Sequence, residues 1–341
     1  MADGEGARPS RVTIRTVAAD AGVSVAAVSK VLRNAYGVSD GLRAKVLASI
    51  QRLGFRPNVA ARGMRGKTFT AGILVTDFEN PFLFDVIAGL DTTFETAGYK
   101  ALIGVGKDIG PLEVRLIDSM IDFKMDGLIL VAPRIATDAL ASYARQIPIV
   151  VIGHHEPDAT VFDSVNSDDR RGAEMVVESF VQRGWHDIAM ITLEMKINSE
   201  TNVSDQREIG YLAAMQAAGL ADRARIIRMP LGRSDAHSGP LEQILTDPNR
   251  PRALFCWSDL HAIDLRNQAH RLGIRVPEDL AIAGYDNSRI AALPLIDLTS
   301  IDQSGHQLGV RAAEMLLTRI EGRSDAIHEF IQPRLVSRSS G

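Results

Sequence analysis

The sequence predicts an all-α helix-turn-helix headpiece followed by an α/β core of two doubly wound parallel-sheet lobes. Three observations predict it. The 341 residues exceed what one compact core holds. A basic N-terminal segment breaks into three short helices with Ser or Gly at the boundaries. From Thr70 onward, apolar strand-like runs alternate with amphipathic stretches, the pattern of parallel sheets covered on both faces.

The headpiece elements follow from local chemistry. A first helix near Ile14–Ala21 is ended by Gly22, and Ser24 can cap a second from Val25 to about Leu32. Ser39 can cap a third, Asp40–Leu53, ended by Gly54. Val17, Ala18, Ala21, Val23, Val28, Val31, Leu42, Val46, Ile50 and Leu53 recur at helical spacing and predict one small core. Helix, short turn with Gly, helix is a helix-turn-helix pattern. Residues 1–66 carry eleven Lys/Arg against four Asp/Glu, a net +7, while the remainder is −11. A basic head on an acidic body suggests a polyanion partner for the head.

In the core, eight runs read as strands: 71–75, 100–105, 127–132, 147–153, 187–192, 224–229, 253–257 and 279–285. Helical stretches fall between them, at Phe84–Ala97, Leu112–Phe123, Gly172–Arg183, Leu260–Leu272 and Leu308–Ile320. That many strands fit two doubly wound lobes better than one.

Composition excludes several classes. Hydrophobic content of 45% and charged content of 23% are those of a globular protein. No apolar run reaches the roughly 18 residues of a membrane span. One cysteine, Cys256, rules out an internal disulfide framework, and the N-terminus lacks an apolar signal segment, so a cytoplasmic location is expected. ARGMRGKT (61–68) nearly reads as a phosphate-binding loop, but Ala61 stands where Gly is needed and the segment precedes its strand. GVGKDIG (104–110) misses the dinucleotide-binding spacing. His154 and His155 are adjacent at a strand end and point opposite ways, so no metal is expected. Neither a nucleophile–base motif nor a cofactor fingerprint is present, and no cofactor or enzyme activity is expected.

A set of ordered motifs is more specific. The head reads VTIRTVAADAGVSVAAVSKVL, then GVS, then RAKVLASIQRLGFRPNVAARGMRGK. The core carries NPF (80–82), DGLIL (126–130), IPIVVIG (147–153), Arg207–Tyr211, Ser258-Asp259, RVPEDLAIAGYDN (275–287), LTSIDQ (298–303) and PRLVSRSS (333–340). With these motifs the chain resembles the LacI/GalR family of bacterial transcription regulators from about Val12 to Ser340. The resemblance implies a DNA-binding headpiece, a hinge, and a two-lobed core like periplasmic sugar-binding proteins. It divides the chain into a tail (1–11), a headpiece (12–56), a hinge (57–67), an N-terminal lobe (68–165 and 303–322) and a C-terminal lobe (166–302 and 323–341).

The resemblance also implies roles. Val25 and Ala26 match the two main base-reading positions; small apolar side chains approach the groove floor and contact thymine methyls. Lys30 supplies a donor for guanine, less rigid than the Arg many relatives carry there. Ser24, at a helix N-terminus, suits phosphate, and Ser29, Arg33 and Ser39 match backbone-contacting positions. Thr13 is expected among the DNA contacts. In the hinge, Asn58 and Arg62 are expected at phosphates and Met64 as a minor-groove wedge.

The effector is expected in the cleft at the strand C-terminal ends. Phe82, Asp168, Arg207, Trp257, Asp259, Asp286 and Gln303 are its expected ligands. Carboxylates with one Arg and one Gln suit several hydroxyls, and aromatic faces suit a sugar's C–H face, so a sugar or related metabolite is the leading expectation. The expected partners are a palindromic double-stranded operator and a second copy of the chain, with no membrane. The alternative is a solute-binding protein without a DNA function; the basic head argues against it.

Overall fold

The computed structural model describes residues 12–32, 36–56, 66–194, 201–230 and 238–341. They fall in two units, one ending at Thr68 and one beginning at Phe69.

The first unit holds α1 (Ile14–Ala21), α2 (Val25–Leu32) and α3 (Asp40–Leu53). Each boundary has the chemistry expected of it. Thr13 and Thr16 form a reciprocal capping box on α1, and Gly22 closes it at φ 63°. Ser24 Oγ accepts from Ala27 N at 3.1 Å, and Ser39 Oγ from Leu42 N at 3.4 Å. All ten apolar residues read from the spacing lie in one cluster, with Val17, Val28 and Val46 fully buried. Ser49 is buried too, because its hydroxyl donates to Asp20 Oδ2 at 2.5 Å, where Arg52 also pairs.

The second unit begins with β1 (Thr70–Val75), α4 (Phe82–Thr96), β2 (Lys100–Val105), α5 (Gly110–Asp122), β3 (Gly127–Val131), α6 (Thr137–Ala144), β4 (Ile149–Ile152) and β5 (Asp163–Ser167). It continues with α7 (Asp169–Gln182), β6 (Ile188–Leu193), α8 (Val203–Ala217), β7 (Arg225–Met229), α9 (Ser238–Thr246), β8 (Ala253–Cys256), α10 (Asp259–Arg271), β9 (Ala281–Tyr285) and β10 (Thr299–Asp302). The last elements are α11 (Gly305–Ile320), β11 (His328–Ile331) and β12 (Arg334–Val336). Two six-stranded sheets result, ordered β11-β5-β4-β3-β1-β2 and β12-β10-β9-β8-β6-β7. The first is wholly parallel; in the second, β12 runs antiparallel to β10. Each sheet is apolar on both faces, which is why its central strands read as continuous hydrophobic runs.

The expected lobe boundaries need two corrections. Asp163–Ser167 is a strand of the N-terminal lobe, so the first crossing lies at Asp168 rather than after residue 165. The segment 323–341 was assigned to the C-terminal lobe, but His328–Ile331 pairs in parallel with Asp163–Ser167. The chain therefore stays in the N-terminal lobe through Ile331 and crosses at 332–333. Asp163 enforces this arrangement. Its fully buried carboxylate binds Arg319 Nη1 at 3.0 Å, pairs with Arg323, and accepts from Ile327 N at 3.0 Å. A buried carboxylate requires such partners.

Helix packing within each lobe uses glycine where backbones touch. A Cβ at Gly89 of α4 would run into the His306 carbonyl oxygen, and one at Gly309 of α11 into that of Val86. In the other lobe, Gly210 of α8 meets the carbonyl of Arg170 in α7 in the same way.

Glu113, in the first turn of α5, is 1% exposed and accepts from Arg134 N at 2.6 Å. Burial pushes its carboxyl up to about 7, against the opposing pull of Arg134. The stability carried by the protonated form is complete below about 4.5 and lost as pH rises through about 7. Glu113→Gln keeps the acceptor and removes the titration. Relative to wild type it is expected to gain roughly 1–2 kcal/mol between pH 5 and pH 8 in urea unfolding. A constant difference across that range would contradict the assignment.

Candidate DNA-reading face and interlobe cleft

In the headpiece, α2 turns Val28 and Val31 into the core. Val25, Ala26 and Lys30 lie on its exposed side, so the three apolar side chains at its start are not all core. Ser24 and Ser39 are exposed although both cap helices, and Ser29 is half-buried. Thr13 is engaged with Thr16 in its capping box. The expected contacts Arg33, Asn58, Arg62 and Met64 lie outside the described residues.

In the core, a cleft open at its mouth is lined by residues of both lobes. Five of the seven expected ligands line it: Phe82, Arg207, Trp257, Asp286 and Gln303. Phe82 starts α4, and Asp286 directly follows β9 with φ 112°. Gln303 stands on the second crossing and donates to Asp286 Oδ1 at 2.5 Å. Asn80, from the opposite lobe, donates to Asp286 Oδ2 at 3.0 Å. Burial raises the Asp286 carboxyl well above the usual carboxylate range, opposed by nearby Arg207 and reinforced by Asp259.

Arg207 is 3% exposed. Its Nε donates to Asp169 Oδ1 at 2.7 Å, its Nη1 to the Trp257 carbonyl at 2.6 Å, and its guanidinium lies 3.6 Å above the Tyr285 ring. Asp169 also receives His155 Nε2 at 2.9 Å. Arg134 Nε binds Asp108 Oδ1 at 2.8 Å on the N-terminal-lobe wall.

Two expected ligands lie elsewhere. Asp168 caps α7 through Arg171 N at 3.0 Å and faces a separate hollow beside His155 and Phe330. The second carboxylate of the Asp168-Asp169 doublet is the one that reaches the cleft. Asp259 is 1% exposed and holds the C-terminal lobe together, accepting from Ser288 N at 2.6 Å and Ser300 Oγ at 2.5 Å. Burial raises its carboxyl too, against those hydrogen bonds. Sequence reasoning also passed over Asn80, whose signal was its place in the NPF motif. The His154 ring is edge-on to Phe162 while His155 turns to Asp169, as adjacent strand-end residues should.

Comparison with known proteins completes the picture. Residues 13–58 match the model of bacterial regulatory proteins of the lacI family, and 177–341 match the periplasmic binding protein-like domain. The HTH-type transcriptional repressor PurR of Erwinia tasmaniensis is 30% identical over 335 residues, 96% of each chain. The chain belongs to the LacI family. It is a DNA-binding transcription regulator with an effector-binding domain. The CelR–cellobiose complex, 25% identical, matches 97% of this chain and all of that one with a TM-score of 0.69. A lac repressor dimer bound to operator and an anti-inducer, 20% identical, matches 97% of this chain and 99% of that one with a TM-score of 0.80 and supports the fold. No helix among the described residues is long and apolar enough to cross a membrane.

Proposed function

We propose that this LacI-family member is a cytoplasmic, non-enzymatic repressor that binds a palindromic operator as a homodimer. Its effector is a sugar or related polyol-like metabolite held by Phe82, Arg207, Trp257, Asp286 and Gln303. The observation that carries the effector reading is the convergence of those five side chains on one interlobe cleft, with two aromatic faces beside hydrogen-bonding groups. The similarity to CelR, whose complex holds cellobiose, supports a carbohydrate. The relatives' naming as repressors supports the sign of regulation. The effector favours one arrangement of the lobes and thereby changes operator affinity by the same coupling factor.

On the DNA side, Val25, Ala26 and Lys30 read bases from the exposed face of α2. Thr13, Ser24, Ser29, Arg33 and Ser39 position the head on phosphates, with Asn58, Arg62 and Met64 acting from the hinge. Anisotropy titrations of the intact protein on a selected symmetric duplex and on random DNA test this. The logarithm of affinity should fall by about 0.9 per decade of salt for each neutralised phosphate. Lys30→Ala is expected to lose about 1–3 kcal/mol on the selected site and little on random DNA, whereas Arg33→Ala weakens both together. Equal losses on both duplexes for Lys30→Ala would remove Lys30 from base reading. A stable monomer without site preference would end the dimer reading.

A further inference from the structure

Every anion-attracting feature described in the cleft already holds a carboxylate of the protein itself. Arg207 has its Nε and Nη1 engaged by Asp169 and the Trp257 carbonyl, and Arg134 is engaged by Asp108. Backbone N–H groups entering α4 form the third such feature, since helix N-termini favour anions. Asp77 Oδ1 occupies it, accepting from Glu79 N at 2.6 Å and Asn80 N at 3.1 Å, while Asn80 Oδ1 takes Phe82 N at 3.0 Å.

Asp286 is then a further buried carboxylate, hydrogen-bonded by two neutral amides instead of a cation. Glu79 adds another acidic side chain to the lining. Among the described lining residues, Asp77, Glu79, Asp108 and Asp169 face two guanidiniums, while burial biases the Asp286 carboxyl toward its neutral form. Low-dielectric walls strengthen the resulting negative field inside a cleft. Among the described lining atoms, Trp257 Nε1 and Ser167 Oγ are buried without a hydrogen bond, and both suit a neutral ligand hydroxyl.

We propose that the cleft excludes anions: its effector is a neutral or amine-bearing molecule without a phosphate or carboxylate group. This rests on the reading of the cleft as the effector site. It narrows the sugar class by ruling out sugar phosphates and sugar acids, and it admits amino sugars. An incoming phosphate would have to displace Asp169 or Asp108 from its arginine and would meet the acidic side chains Asp77 and Glu79 in the same lining.

Two measurements on the intact protein decide it. The first needs no effector. In Trp185→Phe, Trp257 is the remaining tryptophan, and its fluorescence samples the cleft. Caesium is expected to quench it at least about threefold more effectively than iodide, after normalisation to a free tryptophan derivative and to neutral acrylamide. Iodide quenching equal to or above that of caesium would overturn the proposal. The second uses the wild-type protein, and so does not depend on that variant folding. A thermal-shift panel compares free hexoses, pentoses and disaccharides with their phosphate esters, uronic acids and 2-amino derivatives. Neutral and amino members are expected to raise Tm, with at least tenfold weaker binding of each anionic counterpart. A phosphate ester or uronate that matches or exceeds its parent would also overturn the proposal. Cation-selective quenching with no ligand in the panel would sink the sugar reading while leaving anion exclusion in place.

Discussion

Replacing Arg207 with Ala is expected to destabilise the core by about 3–5 kcal/mol, the scale for stripping one partner from a buried ion pair. Arg207 and Asp169 are both nearly inaccessible, with side chains 4% and 1% exposed. The guanidinium also satisfies the Trp257 carbonyl and stacks on Tyr285. Without it, the Asp169 carboxylate keeps only His155. Arg207→Lys should recover part of the loss, since an ammonium restores charge but not the fork or the stacking.

The pH dependence carries the diagnostic. Burial alone would raise the Asp169 carboxyl, but Arg207 and His155 hold it below the ordinary range. A depressed carboxyl contributes stability above its unfolded value of about 3.8, and loses it as pH falls through the folded value. The gap between wild type and Arg207→Ala, measured by urea unfolding, should therefore be full at pH 7 and narrow below pH 4. A gap equally wide at pH 3 would mean that the cost lies in packing.

Gly309→Ala is expected to destabilise the N-terminal lobe by about 3 kcal/mol, and Gly89→Ala by a similar amount. Overpacking a fitted interface typically costs 1–3 kcal/mol, and here the obstacles are carbonyl oxygens rather than flexible side-chain ends. The sign is informative, because alanine ordinarily improves a helix interior by roughly 0.5–1 kcal/mol. Gly41 in α3 has no neighbour within 4 Å of a built Cβ, so Gly41→Ala should stabilise the headpiece by about that amount. Thermal unfolding of both variants checks the contrast. A neutral Gly309→Ala would mean that α4 and α11 can slide apart.

The headpiece was legible because its boundaries are made by single residues. Ser24, Ser39, Gly22 and Gly54 act within one turn of where they sit, and all ten apolar positions pack together. The central strands were legible because both faces are buried. Strand β5 was not. DSVNS is polar by sequence yet wholly buried, since Asp163 takes two arginines, Asn166 Oδ1 accepts from Gly153 N, and Ser164 Oγ bonds His328. Those partners lie up to 164 residues away, beyond any local periodicity. Strand β11, HEFI, is half-exposed and hid the third crossing for the same reason.

In the cleft, residue types were legible but aim was not. Asp168 and Asp169 are equivalent on paper; the helix that begins between them sends one to its cap and the other to Arg207. Asp259 stands at a strand end as a ligand should, but the hydroxyl of Ser300 and the amide of Ser288 claim it. No spacing rule anticipates that competition.

Three separate passages of chain join the lobes, at Asp168, at Gln303-Ser304 and at Gln332-Pro333. Like a door hung on three pins, such a joint leaves one easy swing and resists torsion and shear. The small free energy a ligand brings is thereby channelled into a single coordinate instead of being dissipated as general loosening. Two of the pins carry side chains that also line the cleft or its neighbouring hollow, Gln303 and Asp168.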